Sequence, residues 1–123
     1  MKEAYPEIHQ ALIGHPAVVH TYKEEWGAHR YHVEGKLIGM LGTENEGRPI
    51  LTLRCDPQKS EILRAENPHI LSGYYMDKRT YISVLLEEET EQQLIMELID
   101  HAYGQAFRML PKYKQRAIQE EKA

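Results

Sequence analysis

Four short runs of β-forming residues, Val18 to Tyr22, His29 to Val33, Leu37 to Leu41 and Ile50 to Cys55, follow one another with only turn-prone links between them. Parallel strands need long crossovers, so such brief links commit this part of the chain to an antiparallel meander. Glu34-Gly35 is short enough for a tight hairpin, and Gly42 to Pro49 makes a longer one. Thr80 to Leu86 reads as a fifth strand.

Helical patterns flank the meander. Pro6, Ile8, Ala11 and Leu12, with Gly14 and Pro16 as stop signals, predict a short helix over about residues 3 to 13. Asp56-Pro57 starts a second helix that runs to about Glu66 and stops at Asn67-Pro68. Thr90-Glu91-Gln92-Gln93 matches a capping box, and it opens the longest helix, whose stripe of Leu94, Ile95, Leu98, Ile99, Ala102, Ala106, Met109 and Leu110 covers one sheet face. The expected fold is α+β, a two-layer sandwich of about five antiparallel strands with helices on one face and the other face partly open to solvent. At 123 residues, with no internal repeat or linker, the chain is expected to form one domain over residues 1–123.

Composition narrows the function classes. No stretch approaches the roughly 18 consecutive apolar residues of a membrane span, so no membrane role is expected. The start, Met1-Lys2-Glu3-Ala4-Tyr5-Pro6-Glu7, lacks the apolar core of a secretory signal, and a single cysteine, Cys55, excludes an internal disulfide framework. A cytoplasmic setting follows as the expectation. The net charge of −4 gives no global attraction to polyanions, but the charge is segregated along the chain. Residues 87 to 100 hold six acids and no Lys or Arg, whereas residues 108 to 116 hold four bases and no acid. Helix ends carrying the signs their dipoles prefer would give the same pattern.

The stretch Ser72 to Val84, SGYYMDKRTYISV, gathers a glycine, three tyrosines and a Lys-Arg pair ahead of the fifth strand. Alternation puts Leu51, Leu53 and Cys55 on one face of the fourth strand and Ile50, Thr52 and Arg54 on the other. On the fifth strand Ile82, Val84 and Leu86 go under the helices, leaving Tyr81 on the open side. If these two strands are neighbours, Arg54, Tyr81, Lys78 and Arg79 gather at one end of the open face, with Lys36 from the first hairpin near them. Cations neutralise phosphates and tyrosine offers a stacking surface, so the patch suits an anionic partner. The plainer reading is that Lys78 and Arg79 are solvated turn residues paired with Asp77, that the tyrosines are half-buried sheet residues, and that Gly73 is a turn glycine.

The order of these pieces resembles the MmcQ/YjbR family of small bacterial proteins. The resemblance is carried by Trp26-Gly27, by Tyr31-His32-Val33-Glu34-Gly35-Lys36, by Leu51-Thr52-Leu53-Arg54-Cys55-Asp56-Pro57, by Gly73 to Val84, and by His101-Ala102-Tyr103 with Leu110-Pro111-Lys112. It implies a frataxin-like (CyaY-like) fold and a non-enzymatic, DNA-binding role that uses hairpin wings. On that reading Lys36, Arg54, Lys78 and Arg79 meet the phosphates of double-stranded DNA, and Tyr75 or Tyr81 packs on sugar or base. The chain departs from the family pattern in carrying Tyr81 where relatives usually have tryptophan. The second hairpin also sets Glu44 and Glu46 against Arg48 alone, an acidic tip that repels a phosphate backbone. The alternative partner is an acidic protein or a small anion bound by the same groups.

Other chemistries find little support. His29 and His32 lie three apart on a strand and point to opposite faces, which removes a shared metal ligand set there. Cys55 falls on the core face, where a thiol is inert. No nucleophile elbow, phosphate-binding loop or dinucleotide fingerprint is present, so no cofactor and no enzyme are expected.

Overall fold

A computed structural model describes residues 4–74, 76–87 and 90–122 of the chain. Among these residues, helix α1 (Pro6–Ile13) leads into strands β1 (Val18–Lys23), β2 (Ala28–Val33), β3 (Lys36–Thr43) and β4 (Pro49–Arg54). A short 3-10 turn, Glu24–Trp26, separates the first two strands. Helix α2 (Pro57–Glu66), strands β5 (Ile70–Ser72) and β6 (Tyr81–Leu85), and helices α3 (Gln92–Arg108) and α4 (Lys112–Lys122) complete the order. The fold is α+β: one antiparallel sheet, ordered β1-β2-β3-β4-β6-β5, with helices on one face.

Local chemistry explains the joints. Glu34 and Gly35 both have positive φ, 47° and 81°, the geometry of a two-residue type I′ turn, and they close the hairpin directly between paired Val33 and Lys36. At α2 the Asp56 carboxylate accepts from the amides of Gln58 and Lys59, both at 3.1 Å, while Pro57 occupies the first turn. Between β2 and β3 the register slips: Tyr31 faces Gly39 and His32 faces Leu37, leaving Ile38 as the extra residue of a β-bulge. The bulge turns Leu37 and Met40 to the same side of the sheet. Gly39, next to the bulge, also lies close to β4: a Cβ there would stand 2.5 Å from the Thr52 carbonyl oxygen and 2.7 Å from Leu53 Cδ2.

The main core lies between the sheet and the helices. Tyr31, Val33, Leu41, Leu51, Leu53, Ile82 and Val84 meet Ile8, Leu12, Leu63, Leu98, Ile99 and Ile118 there, all buried. Ile95, Leu98, Ile99, Ala102 and Ala106 form the apolar stripe of α3, and each fully buried aliphatic side chain contributes about 1.5–3 kcal/mol.

Several expectations need correction. The sheet has a sixth strand, because Ile70–Ser72 pairs with β6 as a three-residue edge too short to show a period. The last helix is two helices: Pro111 ends α3, and its carbonyl accepts from Lys114 and Gln115 as α4 begins. Thr90 does not cap α3. Its hydroxyl donates to the Leu85 carbonyl at 2.7 Å and accepts from Glu87 at 3.2 Å, and the N-cap position is Glu91, without a side-chain cap. Nor is the far face open over the central strands. Leu37, Met40, Ile50, Thr52, Ser83 and Leu85 are all buried there, under Met76, Tyr74 and Trp26.

Candidate functional site

The register sorts the strand ends into two groups. Val18, Val33, Lys36, Arg54, Tyr81 and Ser72 stand at one end of the sheet, and Lys23, Ala28, Thr43, Pro49, Leu85 and Ile70 at the other. The first end is where the cations collect. β4 delivers Arg54 opposite Tyr81, and the amide of Cys55 donates to the Thr80 carbonyl at 2.8 Å, which sets the exposed pair Lys78 and Arg79 alongside. Lys59 arrives in the first turn of α2. Arg108 arrives at the end of α3, where the next residue, Met109, accepts at Sδ from Arg54 Nη1 at 3.2 Å, and Lys112 opens α4.

Three acids at this end are engaged. Asp56 caps α2, Asp77 accepts from the Arg79 amide at 2.8 Å, and Glu34 pairs with Lys114 at 3.5 Å. The other end carries Glu24 and Glu25 after β1, Glu44 and Glu46 in the β3–β4 hairpin, and Glu87 and Glu91 ahead of α3. The molecule is therefore electrically polar along its strands, positive where β4 ends and negative where it begins.

The expected site residues divide on inspection. Arg54 and Tyr81 do meet at the predicted place, with the guanidinium 5.0 Å from the ring centroid. Their roles differ from the expectation, however. Tyr81 is only 5% exposed, packed with Leu37, Met40 and Met76, so its phenol offers no stacking surface, and burial pushes its pKa up. Arg54 donates from Nε to the Leu37 carbonyl at 2.8 Å and is held as a clamp between β3, β6 and the end of α3. Lys36 is at the right end of the sheet, but it precedes Leu37 by one residue and so projects toward the helix side. Lys78 and Arg79 remain exposed, with Lys78 Nζ reaching the Gly73 carbonyl at 3.3 Å. Tyr75 lies outside the described residues. Gly73 is required by packing, since a Cβ there would stand 2.8 Å from Tyr81 Cβ.

Sequence reasoning missed three features. Arg108 and Lys112 join the cationic end, and the run of bases from Arg108 to Arg116 was the available signal. The acidic hairpin tip is partly neutralised: Glu44 is buried, its carboxylate accepts from the guanidinium of Arg48 and the amides of Arg48 and Glu46, and these bonds lower its pKa. Trp26, exposed as Tyr22 and Tyr113 are, has Lys23 Nζ 3.8 Å from its ring centroid and Arg30 5.6 Å away, beside a depression of about 20 Å³ that has room for a water or two.

Histidines and the cysteine complete the picture. His29 and His32 do face opposite sides: His29 Nδ1 is 2.9 Å from His20 Nε2, beside His9 and Tyr31, while His32 lies across the sheet, its pKa lowered by burial and by Arg30. Among the described residues no group of three or more His, Cys, Asp or Glu is arranged to hold a metal ion. Cys55 is buried, and burial pushes its thiol up to about 11. His101 Nε2 accepts from the Asp56 amide at 3.2 Å, and burial, with Lys59 and Arg108 close by, lowers its pKa.

The family model described as YjbR matches residues 14–105. The chain belongs to the YjbR family. Escherichia coli strain K12 has a relative, uncharacterized protein YjbR, that is 27% identical over 112 residues, covering 91% of this chain and 94% of the relative. Uncharacterized protein YbdF of Escherichia coli O157:H7 is 34% identical over 88 residues, covering 72% and 71%. In fold, the chain is similar to the crystal structure of Deinococcus radiodurans protein DR2400, with a TM-score of 0.84 at 18% identity over 94% of this chain and 87% of that one. A protein from Pseudomonas syringae gives a TM-score of 0.70 at 18% identity, over 83% and 97%. Among the described residues no helix is long and apolar enough to cross a membrane.

Proposed function

We propose that this YjbR-family chain is a non-enzymatic binding protein that takes the phosphate backbone of double-stranded DNA at the cationic end of its sheet. The observation that supports this is the separation of charge along the strands. A net charge of −4 argues against a polyanion only if the charges are mixed, and here Glu24, Glu25, Glu44, Glu46, Glu87 and Glu91 lie at the far end. Lys59, Lys78, Arg79, Arg108 and Lys112 are exposed cations available to phosphates. Arg54 adds its charge from behind them. The buried Cys55 thiol and the occupied His101 Nε2 give no activated nucleophile or base at this end, which supports a binding role over catalysis.

Fluorescence anisotropy with a labelled 20-base-pair duplex at low salt tests the reading. Lys78→Ala/Arg79→Ala is expected to weaken binding roughly tenfold, while Glu24→Gln/Glu25→Gln at the far end leaves it within about twofold. Binding by the double-alanine variant equal to that of the parent chain rules the site out.

A second reading, an acidic protein or compact anion at the same end, is favoured by one fact: Tyr81 is buried, so the aromatic beside Arg54 offers no stacking surface. Saturable binding of polyglutamate together with no duplex binding under the same conditions would select it.

A further inference from the structure

Strands β1 and β2 carry a cluster on the far face that the cationic end does not include. Their register sets Thr21 opposite Arg30, Lys23 opposite Ala28 and Val19 opposite His32, and Tyr31 and Val33 belong to the helix-side core. Thr21, Lys23, Arg30 and His32 therefore all project away from the helices. Two cations converge there on one indole: Lys23 Nζ lies 3.8 Å and the Arg30 guanidinium carbon 5.6 Å from the ring centroid of Trp26, which is 48% exposed. Among the described residues neither cation forms an ion pair. Arg30 Nε is buried and, among the described residues, has no hydrogen-bond partner. A buried donor left unpaired costs free energy, and in a native protein it calls for a water, an ion or a functional explanation. Arg30's charge is also felt by its neighbour: burial and then Arg30 lower the pKa of His32.

We propose that Arg30, Lys23 and Thr21 form a binding site for a compact oxyanion, a carboxylate or a phosphate group, beside Trp26. Hydrogen bonding as well as charge selects this ligand. The Nε edge of a guanidinium presents two parallel N–H groups, the fork that takes two oxygens of one carboxylate or phosphate, and here Nε is unspent. Lys23 supplies a second charge, and the Thr21 hydroxyl, directly opposite Arg30 and exposed, supplies a further donor. Because Nε is buried, binding moves the guanidinium relative to the indole, so the surroundings of Trp26 change with occupancy.

The surroundings limit the ligand's size. Glu24 and Glu25 are exposed next to Lys23, neither ion-paired with it, and Glu46 lies at the same end of the sheet. A polyanion laid across this corner meets those carboxylates, whereas a compact anion at the Arg30 fork meets the unpaired donors. The site stands at the opposite end of the strands from Arg54, Lys78 and Arg79, and the inference is independent of what that end binds.

Trp26 is the sole tryptophan of the chain, so its intrinsic fluorescence reads this site alone. In titrations with sodium acetate and sodium phosphate to about 50 mM, against sodium chloride at matched ionic strength, one or both oxyanions are expected to give a saturable change with a dissociation constant of about 1–10 mM, and chloride none. The tighter of the two identifies the ligand's anionic group. By NMR titration the pKa of His32 should rise at saturation, because the bound anion offsets the charge of Arg30. Arg30→Lys keeps the charge but loses the fork and should weaken binding about fivefold or more, Lys23→Gln should weaken it several-fold, and Arg116→Gln, exposed on α4, should leave it unchanged. The inference is overturned by the absence of a saturable change with either oxyanion, by an equal change with chloride, or by a His32 pKa that does not rise. Parent-like binding by an Arg30→Lys or Lys23→Gln variant that keeps the parent's melting profile overturns it as well.

Discussion

Replacing Arg54 separates two contributions that a surface-patch description merges, because this side chain is a structural clamp as well as a charge. Its Nε donates to the Leu37 carbonyl at 2.8 Å and its guanidinium lies 5.0 Å from the Tyr81 ring centroid. A charge-assisted hydrogen bond contributes about 1.5–3 kcal/mol and a partly exposed cation–π contact about 0.5–1. With Arg54 half-buried, the lower part of each range applies, so Arg54→Ala should destabilise the fold by about 2–3 kcal/mol. For a chain of this length that is a fall in Tm of roughly 8–12 °C. Calorimetry or circular dichroism melting measures it directly. Arg54→Lys keeps the charge but loses the planar fork, so it should restore most of any duplex affinity while recovering less than half of the stability. A Tm for Arg54→Ala within about 2 °C of the parent chain would refute the clamp and return Arg54 to the status of an ordinary surface cation.

Two further perturbations test the geometry around this end. Gly39→Ala forces a methyl group to within 2.5 Å of the Thr52 carbonyl oxygen at the bulge, and urea unfolding should show a loss of about 3 kcal/mol; a loss under about 1 kcal/mol would mean the β3–β4 spacing is not as close as described. His101 and His32 both have pKa values lowered from the ordinary 6.5. Above that value both the folded and the unfolded chain are neutral at these sites and stability is complete. As pH falls from 6.5 the unfolded chain protonates first, so stability should decline toward the lowered folded values. Denaturant midpoints measured from pH 7.5 to 5 check the sign, and His101→Gln, which can still accept from the Asp56 amide, should flatten the decline; a rise in stability on acidification contradicts it.

What the sequence made legible was local or periodic. Alternation placed Leu53 inside and Arg54 outside, and Asp56-Pro57 announced α2, whereas the β4–β6 pairing, a condition of the expected patch, comes from the fold alone. What it hid depends on atoms brought together from distant positions. Tyr81 is on the expected side of the sheet, yet it is buried because the bulge at Ile38 turns Leu37 and Met40 toward it and Met76 closes over it. Alternation reports the face, and only packing reports exposure. Thr90 has the residue type of a cap but spends its hydroxyl on Leu85 and Glu87. Glu44 reads as a repelling tip and is instead folded inward onto Arg48. The cationic end is assembled from β4, the segment before β6, and the ends of α2, α3 and α4, so no single stretch of sequence displays it whole.

The charge-separated sheet as a phosphate-binding device is tested most directly by the salt dependence of duplex affinity. With about four phosphates neutralised, log K should fall against log salt with a slope of roughly −3 to −4, reduced by about two in Lys78→Ala/Arg79→Ala. No measurable binding at low salt, or a slope near zero, contradicts the account.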